Sequence, residues 1–393
     1  MAWIASLSVH SSRSAVSVRS LVHQQGHHSF RRVVPKQYRV LMSGMAGAES
    51  VRAPAAPGRA LGWNPVFAQT MLRAKSHEAS RRFYEDVLGM TFLTELPIPE
   101  FKFSLMFFAY TDEAPVDQNA SRKERGAWLF TRPYPTIELT HNFGTETQEG
   151  RIHHNGNSDP KGYGHIGIFV DDVAAAWENA QRAGAEVVKA PSHVAGLGTV
   201  AYIADPDGYY VALVNRTKGS AKHPGKCKGV LGADPVLAHT MLRTNDPAKA
   251  VQYYENLGLK LVGKVETNEV DRYYMALTDK TPADPTWSAE KQAEFLGSQR
   301  YPMVELVYEK DADHSKPYHN GNTDPRGFGH IGFTVDDMYK TVEVLEANGV
   351  ECTRRPGPFA DDFELAFVKD HDGYLIELIN RKPYNEPMPY EQP

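Results

Sequence analysis

Residues 154–172 read HNGNSDPKGYGHIGIFVDD, and residues 319–337 read HNGNTDPRGFGHIGFTVDD. Of the 19 aligned positions, 14 are identical, and most of the replacements are conservative. A second pair agrees in the same way, because NPVFAQTMLR at 64–73 matches DPVLAHTMLR at 234–243. An internal repeat of this length divides the chain into two similar halves, so the positions at which the halves differ become informative.

The composition is that of a globular protein without a nucleic-acid partner. A chain of 393 residues is long enough for two domains with cores of their own. Hydrophobic residues make up 41% and the net charge is −5, which argues against binding nucleic acid. No apolar run approaches the roughly 20 residues of a membrane span. Cys227 and Cys352 offer no disulfide framework, so we expect two unpaired thiols.

Residues 1–60 differ from the rest of the chain. No Asp or Glu precedes Glu49, whereas Ser and His are frequent and six basic residues occur: Arg13, Arg19, Arg31, Arg32, Lys36 and Arg39. A basic, serine-rich segment of this kind is typical of a transit peptide, which predicts delivery to a chloroplast or mitochondrion. A disordered tail is the alternative. Met42 or Met45 as an internal start would give a cytoplasmic form.

The remaining chain predicts four similar modules, each with a strand, a helix and further strands. The opening strands contain QTMLR at 69–73, HIGIFV at 165–170, HTMLR at 239–243 and HIGFTV at 330–335. A helix-capping residue follows each strand: Ser76, Asp172, Asp246 and Asp337. Each helix then ends at a glycine suited to a left-handed backbone: Gly89, Gly184, Gly258 and Gly349. The predicted fold class is α+β, with sheets that curl around a central cavity.

The repeat also predicts the domain bounds. We expect a leader at 1–60, a first domain at 61–216, a linker at 217–233, a second domain at 234–383 and a tail at 384–393.

Polar residues recur inside the predicted strands, where they should face the concave side of the sheets: Gln69, Glu138, His165, His239, Glu305, His330 and Glu377. A single strand glutamate usually lies on a solvated face, and a single histidine is usually a core residue. Recurrence at equivalent places in both halves favours a function instead. Histidine, glutamate and glutamine supply the N and O ligands that suit zinc, nickel or cobalt.

The strings QTMLR, IELTHN, HNGNSDPKGYGHIG and DPDGYYVALVN resemble glyoxalase I (lactoylglutathione lyase), of the vicinal oxygen chelate superfamily. The resemblance covers about 64–216 and 234–381, and FKFSLMFFAY at 101–110 resembles the longer, zinc-using type. It implies four βαβββ modules in two tandem glyoxalase-like domains. It also implies that each metal site takes Gln and Glu from the first module of one half, and His and Glu from the second module of the other half.

Carried over by residue, the resemblance implies two unequal sites. The first has the full ligand set, Gln69, Glu138, His330 and Glu377, with Arg73, Asn142, Arg326 and Arg354 at the glutathione-binding positions. The second has His239, Glu305 and His165, with Ala212 in place of the other glutamate and Glu309 in place of the asparagine. Cross-half pairing collects the departures Ala212, His239 and Glu309 in one degenerate site. Pairing within each half would scatter them over both.

The resemblance further implies the reaction. Methylglyoxal and glutathione would combine as a hemithioacetal, and Glu377 would remove a proton from the carbon that bears sulfur. Glu138 would serve the opposite enantiomer, and one divalent metal, zinc above nickel or cobalt, would stabilise the developing charge. Phe103, Leu105 and Phe107 either line the substrate pocket or are core residues. A monomer is expected, because one chain contains both halves.

Two other functions stay open. His239, Glu305 and His165 match the two-histidine, one-carboxylate set of non-haem iron oxygenases, so a dioxygenase-like enzyme of the same superfamily is one. The glutathione-type residues disfavour it. The other is a non-catalytic protein that binds a small ligand, which the complete four-ligand set disfavours.

Overall fold

The computed structural model describes residues 60–62, 64–195, 197–217, 229–360 and 363–381. The first half contains two modules. Module one consists of β1 (Val66–Ala74), α1 (His77–Arg81, continued by the π-helical Arg82–Val87), β2 (Thr91–Ile98), the 3-10 turn Pro99–Phe101, β3 (Phe103–Ala109), α2 (Arg122–Leu129), β4 (Thr136–Asn142) and the 3-10 turn Thr145–Thr147. Module two consists of β5 (Tyr163–Val170), α3 (Val173–Arg182), β6 (Glu186–Val194), β7 (Gly198–Ala204) and β8 (Tyr210–Asn215).

The second half repeats this order. Module three consists of β9 (Val236–Arg243), α4 (Pro247–Leu257), β10 (Lys260–Glu266), β11 (Val270–Ala276), α5 (Ala289–Gly297) and β12 (Met303–Glu309). Module four consists of β13 (Phe328–Val335), α6 (Met338–Ala347), β14 (Cys352–Phe359), β15 (Phe363–Lys369) and β16 (Leu375–Asn380). The predicted α+β class with four repeated modules is confirmed. None of the described helices is long and apolar enough to cross a bilayer.

The predicted helix boundaries are confirmed. The side chains of the four predicted caps accept backbone N–H bonds from Ala79, Ala175, Lys249 and Lys340. Each such cap stabilises a helix by about 1 kcal/mol. The four predicted glycines have φ between 76° and 114°, a backbone conformation that is unfavourable for residues with a side chain. Glycine adopts it without strain and so ends each helix.

Each eight-stranded sheet combines one module from each half. One sheet has the order β14-β15-β16-β13-β1-β4-β3-β2, and the other has β10-β11-β12-β9-β5-β8-β7-β6. Modules one and four therefore share a sheet through the antiparallel pair β1 and β13, and modules two and three share one through β5 and β9. The expected domain bounds divide the chain into halves, but each sheet spans both halves.

The two sheets meet at a pseudo-twofold axis. Thr70 and Thr240 join their hydroxyl oxygens at 2.5 Å, and the rings of Tyr163 and Phe328 stack at 4.9 Å. The loops that precede β5 and β13 exchange backbone hydrogen bonds across this axis. A Cβ atom at Gly162 would lie 1.8 Å from the His319 carbonyl oxygen, so the approach of these loops requires glycine.

Some of the predicted features lie outside the described residues, and some observed features were not predicted. The leader up to residue 59, residues 218–228 with Cys227, and the tail from residue 382 lie outside the described residues. Cys352 is a free, partly buried thiol. The helices α2 and α5, which precede the last strands of modules one and three, were not predicted.

A buried aspartate shapes the turn before the last strand of module four. Asp370 Oδ1 accepts the backbone N–H groups of Asp372 and Tyr374, and Oδ2 accepts the hydroxyl of Tyr254 on α4. Burial, helped by the charge of Asp372, raises the pKa of Asp370 to about 7. Asp205 occupies the equivalent turn and accepts the hydroxyl of Tyr84. These turns tie the two modules of each half together.

The raised pKa predicts how Asp370→Asn changes stability with pH. The unfolded carboxyl ionises near pH 4 and the folded one near pH 7, so its contribution is complete below about pH 4 and is lost as the pH rises to about 7. The amide of the variant would keep an acceptor and cannot ionise. The free energy of unfolding of this variant, relative to the native chain, should therefore rise by roughly 2 kcal/mol between about pH 5 and about pH 8 in urea titrations.

Asp370→Ala is the control, because it also cannot ionise but leaves two N–H groups without their acceptor, so it should be less stable than Asp370→Asn by roughly 1–3 kcal/mol at both pH values. A pH-independent difference between Asp370→Asn and the native chain would contradict the raised pKa.

Candidate active site

Four polar side chains converge on the concave face of the sheet that modules one and four share. Gln69, Glu138, His330 and Glu377 lie on the neighbouring strands β1, β4, β13 and β16, and each is at most 5% exposed. Gln69 Nε2 lies 2.5 Å from Glu138 Oε2 and 2.7 Å from Glu377 Oε2. His330 Nε2 lies 3.0 Å from the same Glu377 oxygen and 3.5 Å from Glu138 Oε2. The strand register thus brings together side chains from the first and last quarters of the described chain.

A glycine makes room for this convergence. Gly332 faces Gln69 across the β1–β13 pair, and a Cβ atom there would lie 2.7 Å from Gln69 Cγ. Any side chain at this position would push the amide away from the carboxylates. In the other sheet Gly167 faces His239, and a Cβ atom at Gly167 would strike the imidazole ring.

The cluster is electrostatically a cation site. Two carboxylates are buried within 3.5 Å of one imidazole, which is unfavourable unless a positive charge compensates them. Burial opposes protonation of the imidazole, but the charges of Glu377 and Glu138 outweigh it and raise the pKa of His330 to about 9. Burial and the neighbouring Glu377 raise the pKa of Glu138, against the opposing effect of His330.

The donors fit a divalent metal. Ligands about 2.1 Å from a metal, at tetrahedral or octahedral angles, lie about 3.0–3.4 Å apart. His330 Nε2 lies 3.0 Å from Glu377 Oε2 and 3.5 Å from Glu138 Oε2, close to that range. The amide of Gln69 now donates to both carboxylates, and a half-turn about its last torsion would present its carbonyl oxygen as a ligand. Two carboxylates, one imidazole and one amide form a donor set for zinc, nickel or cobalt.

An apolar wall flanks these donors. Phe107 on β3 lies opposite Glu138 and is fully buried, and the Phe367 ring lies 5.2 Å from that of His330. Phe107 makes an edge contact with Phe130 at the end of α2. Phe130 in turn makes an edge contact with Phe363 of module four. The unpredicted helix α2 therefore closes this wall across both halves.

Arg73, expected at the glutathione site, also anchors a loop. Its NH1 donates to the carbonyl oxygens of Gly321, Gly327 and Phe328, and its NH2 donates to Asn322 Oδ1. Only 6% of Arg73 is exposed, and burial lowers its pKa to about 10. Both terminal nitrogens thus bind the loop before β13, a role that was not predicted.

The other residues expected at the glutathione site are more accessible. Arg326 lies within the loop that Arg73 holds, and a third of its side chain is exposed. Arg354 on β14 donates to the carbonyl oxygens of Leu365 and Pro358, and it interacts electrostatically with Glu377. Asn142 ends β4, four residues beyond Glu138. All three side chains are partly buried, with Asn142 in module one, Arg354 in module four and Arg326 in the loop just before module four.

The other sheet carries a second, smaller cluster. Glu305 Oε2 lies 3.1 Å from His239 Nε2 and 3.3 Å from His165 Nε2, and the two imidazole nitrogens are 3.3 Å apart. Ala212 lies opposite Gly167, in the register that places Glu377 opposite Gly332 in the first sheet. Although burial opposes it, His239 and His165 hold the pKa of Glu305 well below its usual value. The structure thus gathers the three polar residues expected in the degenerate site.

We call the spaces around the Glu377 cluster and the Glu305 cluster the first and the second cavity. The second cavity holds polar residues that were not predicted from the sequence. Tyr274 donates its hydroxyl to Glu305 Oε1 at 3.0 Å, and Arg272 Nε lies 3.3 Å from the same oxygen. Tyr274 pairs with Glu305 across β11 and β12, as Phe107 pairs with Glu138 across β3 and β4, so these two residues are equivalent. Two residues earlier on the same strands, Arg272 is the equivalent of Leu105. Extending the repeat alignment through β3 and β11 would have revealed both replacements.

Glu309 is neutralised inside the protein. Arg243 Nε donates to Glu309 Oε1 at 2.7 Å, and Lys161 Nζ donates to Glu309 Oε2 at 2.9 Å. Arg243 otherwise holds the loop before β5 as Arg73 holds the loop before β13. A carboxylate of the protein therefore pairs with Arg243 and Lys161, the basic residues that correspond to Arg73 and Arg326.

Comparison with known proteins identifies the family. The Glyoxalase/Bleomycin resistance protein/Dioxygenase superfamily matches residues 66–213 and 236–378. Glyoxalase I of Saccharomyces cerevisiae is 30% identical over 79% of this chain and 90% of its own. A probable chloroplastic lactoylglutathione lyase of Arabidopsis thaliana is 30% identical over 76% of this chain and 68% of its own.

A solved structure shares the fold. The crystal structure of glyoxalase I from Zea mays superposes with a TM-score of 0.57 at 22% identity, over 81% of this chain and 92% of that chain. The superfamily match spans most of the chain, and the relatives match both halves in tandem. The chain belongs to the glyoxalase I family of the Glyoxalase/Bleomycin resistance protein/Dioxygenase superfamily.

Proposed function

We propose that this chain is a lactoylglutathione lyase that converts the hemithioacetal of methylglyoxal and glutathione into S-D-lactoylglutathione. The observation that carries the proposal is the buried cluster of Gln69, Glu138, His330 and Glu377, in a member of the glyoxalase I family. The relative from Arabidopsis thaliana bears the name lactoylglutathione lyase. The reaction moves one proton from the carbon that bears sulfur to the neighbouring carbon and one from the oxygen of the first carbon to the oxygen of the second, and it needs no oxidant or reductant.

The four donors would hold one divalent cation, with zinc the expected ion and nickel or cobalt the alternatives. When bound, the cation supplies Lewis-acid stabilisation of the negative charge that develops on the substrate oxygens. The amide of Gln69 and the imidazole of His330 contribute neutral ligands, so the two carboxylates remain the groups able to carry a proton.

Glu377 is the proposed base. One of its oxygens would take the proton from the carbon that bears sulfur, and a carboxylate would return it to the adjacent carbonyl carbon. Glu138, on the opposite side of Gln69, would take the proton from the other hemithioacetal enantiomer. Both carboxylates are at most 5% exposed, so water competes little for the proton during the transfer.

Arg326, Arg354 and Asn142 are proposed to bind the glutathione part, with Arg73 fixing the loop that carries Arg326. Guanidinium groups suit the carboxylates of the peptide because they donate paired hydrogen bonds. Phe107 and Phe367 would exclude water from the methyl side of the substrate. Beside the second cluster Glu309 already pairs with Arg243 and Lys161, which supports a single working site.

The leader supports delivery to an organelle. Its basic, acid-free composition is typical of a transit peptide, and the Arabidopsis thaliana relative is named chloroplastic. We therefore propose a chloroplast, with a mitochondrion or the cytoplasm as alternatives, and a role in removing methylglyoxal there. A monomer is proposed because both halves of the site lie in one chain.

Glu377→Gln tests both the base and the single-site proposal. Removing the proposed base should lower kcat roughly a thousandfold, measured as growth of thioester absorbance from methylglyoxal and glutathione. Glu343→Gln removes an exposed carboxylate on α6 of the same module and should leave kcat unchanged. Retention of about half the native turnover in Glu377→Gln would show instead that the second cavity also works.

Arg326→Ala tests glutathione recognition. Loss of one charge-assisted contact should raise KM for the hemithioacetal roughly tenfold to a hundredfold while kcat changes little. Lys161→Ala changes the equivalent basic residue beside the second cluster, where Glu309 already pairs with it, and should leave KM unchanged. Equal KM increases in the two variants would argue against the assignment.

Metal removal should abolish turnover. Dialysis against a strong chelator should lower kcat by at least about a hundredfold, because the developing charge then lacks its main stabilisation. Zinc, nickel or cobalt added back should restore it to different extents, and magnesium should not, because it prefers an all-oxygen site. Full activity in a metal-free chain, verified by elemental analysis, would contradict the mechanism.

A further inference from the structure

The second cavity differs from the first by several replacements, and two of the new side chains contact the same carboxylate. Three apolar positions of the first cavity, Leu105, Phe107 and Phe367, correspond to Arg272, Tyr274 and Tyr202. Random decay of an unused site would introduce unpaired polar groups without order. Here Arg272 and Tyr274 both contact one oxygen of Glu305.

These contacts leave the other carboxylate oxygen directed at two imidazoles. Glu305 Oε2 is buried and has no hydrogen-bond partner among the described residues, and Glu305 as a whole is 1% exposed. It lies 3.1 and 3.3 Å from the Nε2 atoms of His239 and His165. The two imidazoles face this oxygen without a well-aligned hydrogen bond, and a cation shared by the three atoms would complete the arrangement.

The three donor atoms have the spacing of metal ligands. Their mutual separations of 3.1, 3.3 and 3.3 Å lie within the range of about 3.0–3.4 Å expected for ligands about 2.1 Å from one cation. Tyr274 and Arg272 bind the outer oxygen of Glu305, which is how neighbouring groups commonly orient a carboxylate ligand. Two imidazoles and one carboxylate suit a divalent transition cation.

Three ligands leave coordination positions open. Ala212 stands where the first cavity has Glu377, so the fourth protein ligand is missing on that wall. Across the curled sheet, the NH1 atom of Arg272 is buried and has no hydrogen-bond partner among the described residues. A cation with open positions and a guanidinium nitrogen that lacks a partner in the described part of the chain, NH1 of Arg272, together favour an anionic ligand, and a carboxylate matches both.

The charges beside this cluster disfavour the glutathione adduct. Glu309 pairs with Arg243 and Lys161, which correspond to Arg73 and Arg326 at the first cluster. A second carboxylate at that place would be repelled by Glu309. The ligand is therefore small and does not carry the peptide.

We propose that the second cavity holds a divalent cation of its own on His165, His239 and Glu305. We further propose that it binds a small chelating carboxylate, of the 2-oxo or 2-hydroxy acid class, between that cation and Arg272. An acid of this class offers a carboxylate for Arg272 and an adjacent oxygen for the cation. This inference does not depend on the reaction proposed for the first cavity.

Cobalt stoichiometry tests the cation. The metal-free full-length chain is dialysed against cobalt(II), and cobalt per chain is counted by elemental analysis. The native chain should hold two ions, and His165→Ala and its first-cavity equivalent His330→Ala should each hold one. A native chain with one ion that His330→Ala loses and His165→Ala keeps would overturn the proposal. If His165→Ala does not fold, Glu305→Gln, which keeps the shape of the side chain, takes its place.

Visible absorbance tests the ligand. In the His330→Ala chain the cobalt spectrum reports only the second cavity, and it should shift on addition of pyruvate or lactate. Glutathione should leave it unchanged. Adding Arg272→Leu, which copies Leu105 of the first cavity, should keep the cobalt and weaken the pyruvate or lactate response about tenfold or more. A shift with glutathione alone, or an equal response in Arg272→Leu, would overturn the assignment of the ligand.

Discussion

The antiparallel pairing of β1 with β13 is the interaction on which the candidate site depends. It sets Gln69 opposite Gly332 and Met71 opposite His330, and the parallel neighbours β4 and β16 then bring Glu138 and Glu377 into the same space. The two paired strands lie more than 250 residues apart in the chain. Closing so long a loop costs conformational entropy, which the buried sheet interface must offset. The site therefore forms only when both halves of the chain have folded together.

The same backbone framework supports two different charge arrangements. In the first cavity two carboxylates face one imidazole, so compensation must come largely from a bound cation. In the second cavity one carboxylate faces two imidazoles and a guanidinium group, so much of the compensation is already built in. Because Gly332 and Gly167 keep equivalent places, the register survived while the side chains diverged. Ala212 stands in the second cavity where the first has Glu377. This replacement removes a proton carrier and opens a coordination position at the same time.

The sequence predicted the modules because their signals are local. Caps such as Asp246, glycines such as Gly258 and alternating strands each act over a few residues, and the repeat reinforced every one of them. The loop-anchoring role of Arg73 was not predictable, because its acceptors are mostly backbone carbonyl oxygens and leave no trace in the sequence. The short helices α2 and α5 did offer a local signal that was not used, because Ser121 and Ser288 cap them and Glu124 completes a capping box in α2. Aligning the two halves through β11 would have identified the replacement at Arg272. Its role becomes clear only from the contact with Glu305 in the structure.

The central claim is that one cation lies between the first and last modules. Anomalous diffraction at the absorption edge of the metal, from crystals of the metal-loaded full-length chain, tests this claim most directly. We predict a peak within ligand distance of Gln69, Glu138, His330 and Glu377, whether or not a second peak occurs in the other cavity. A chain that is fully active while its only anomalous peak lies elsewhere would contradict the account.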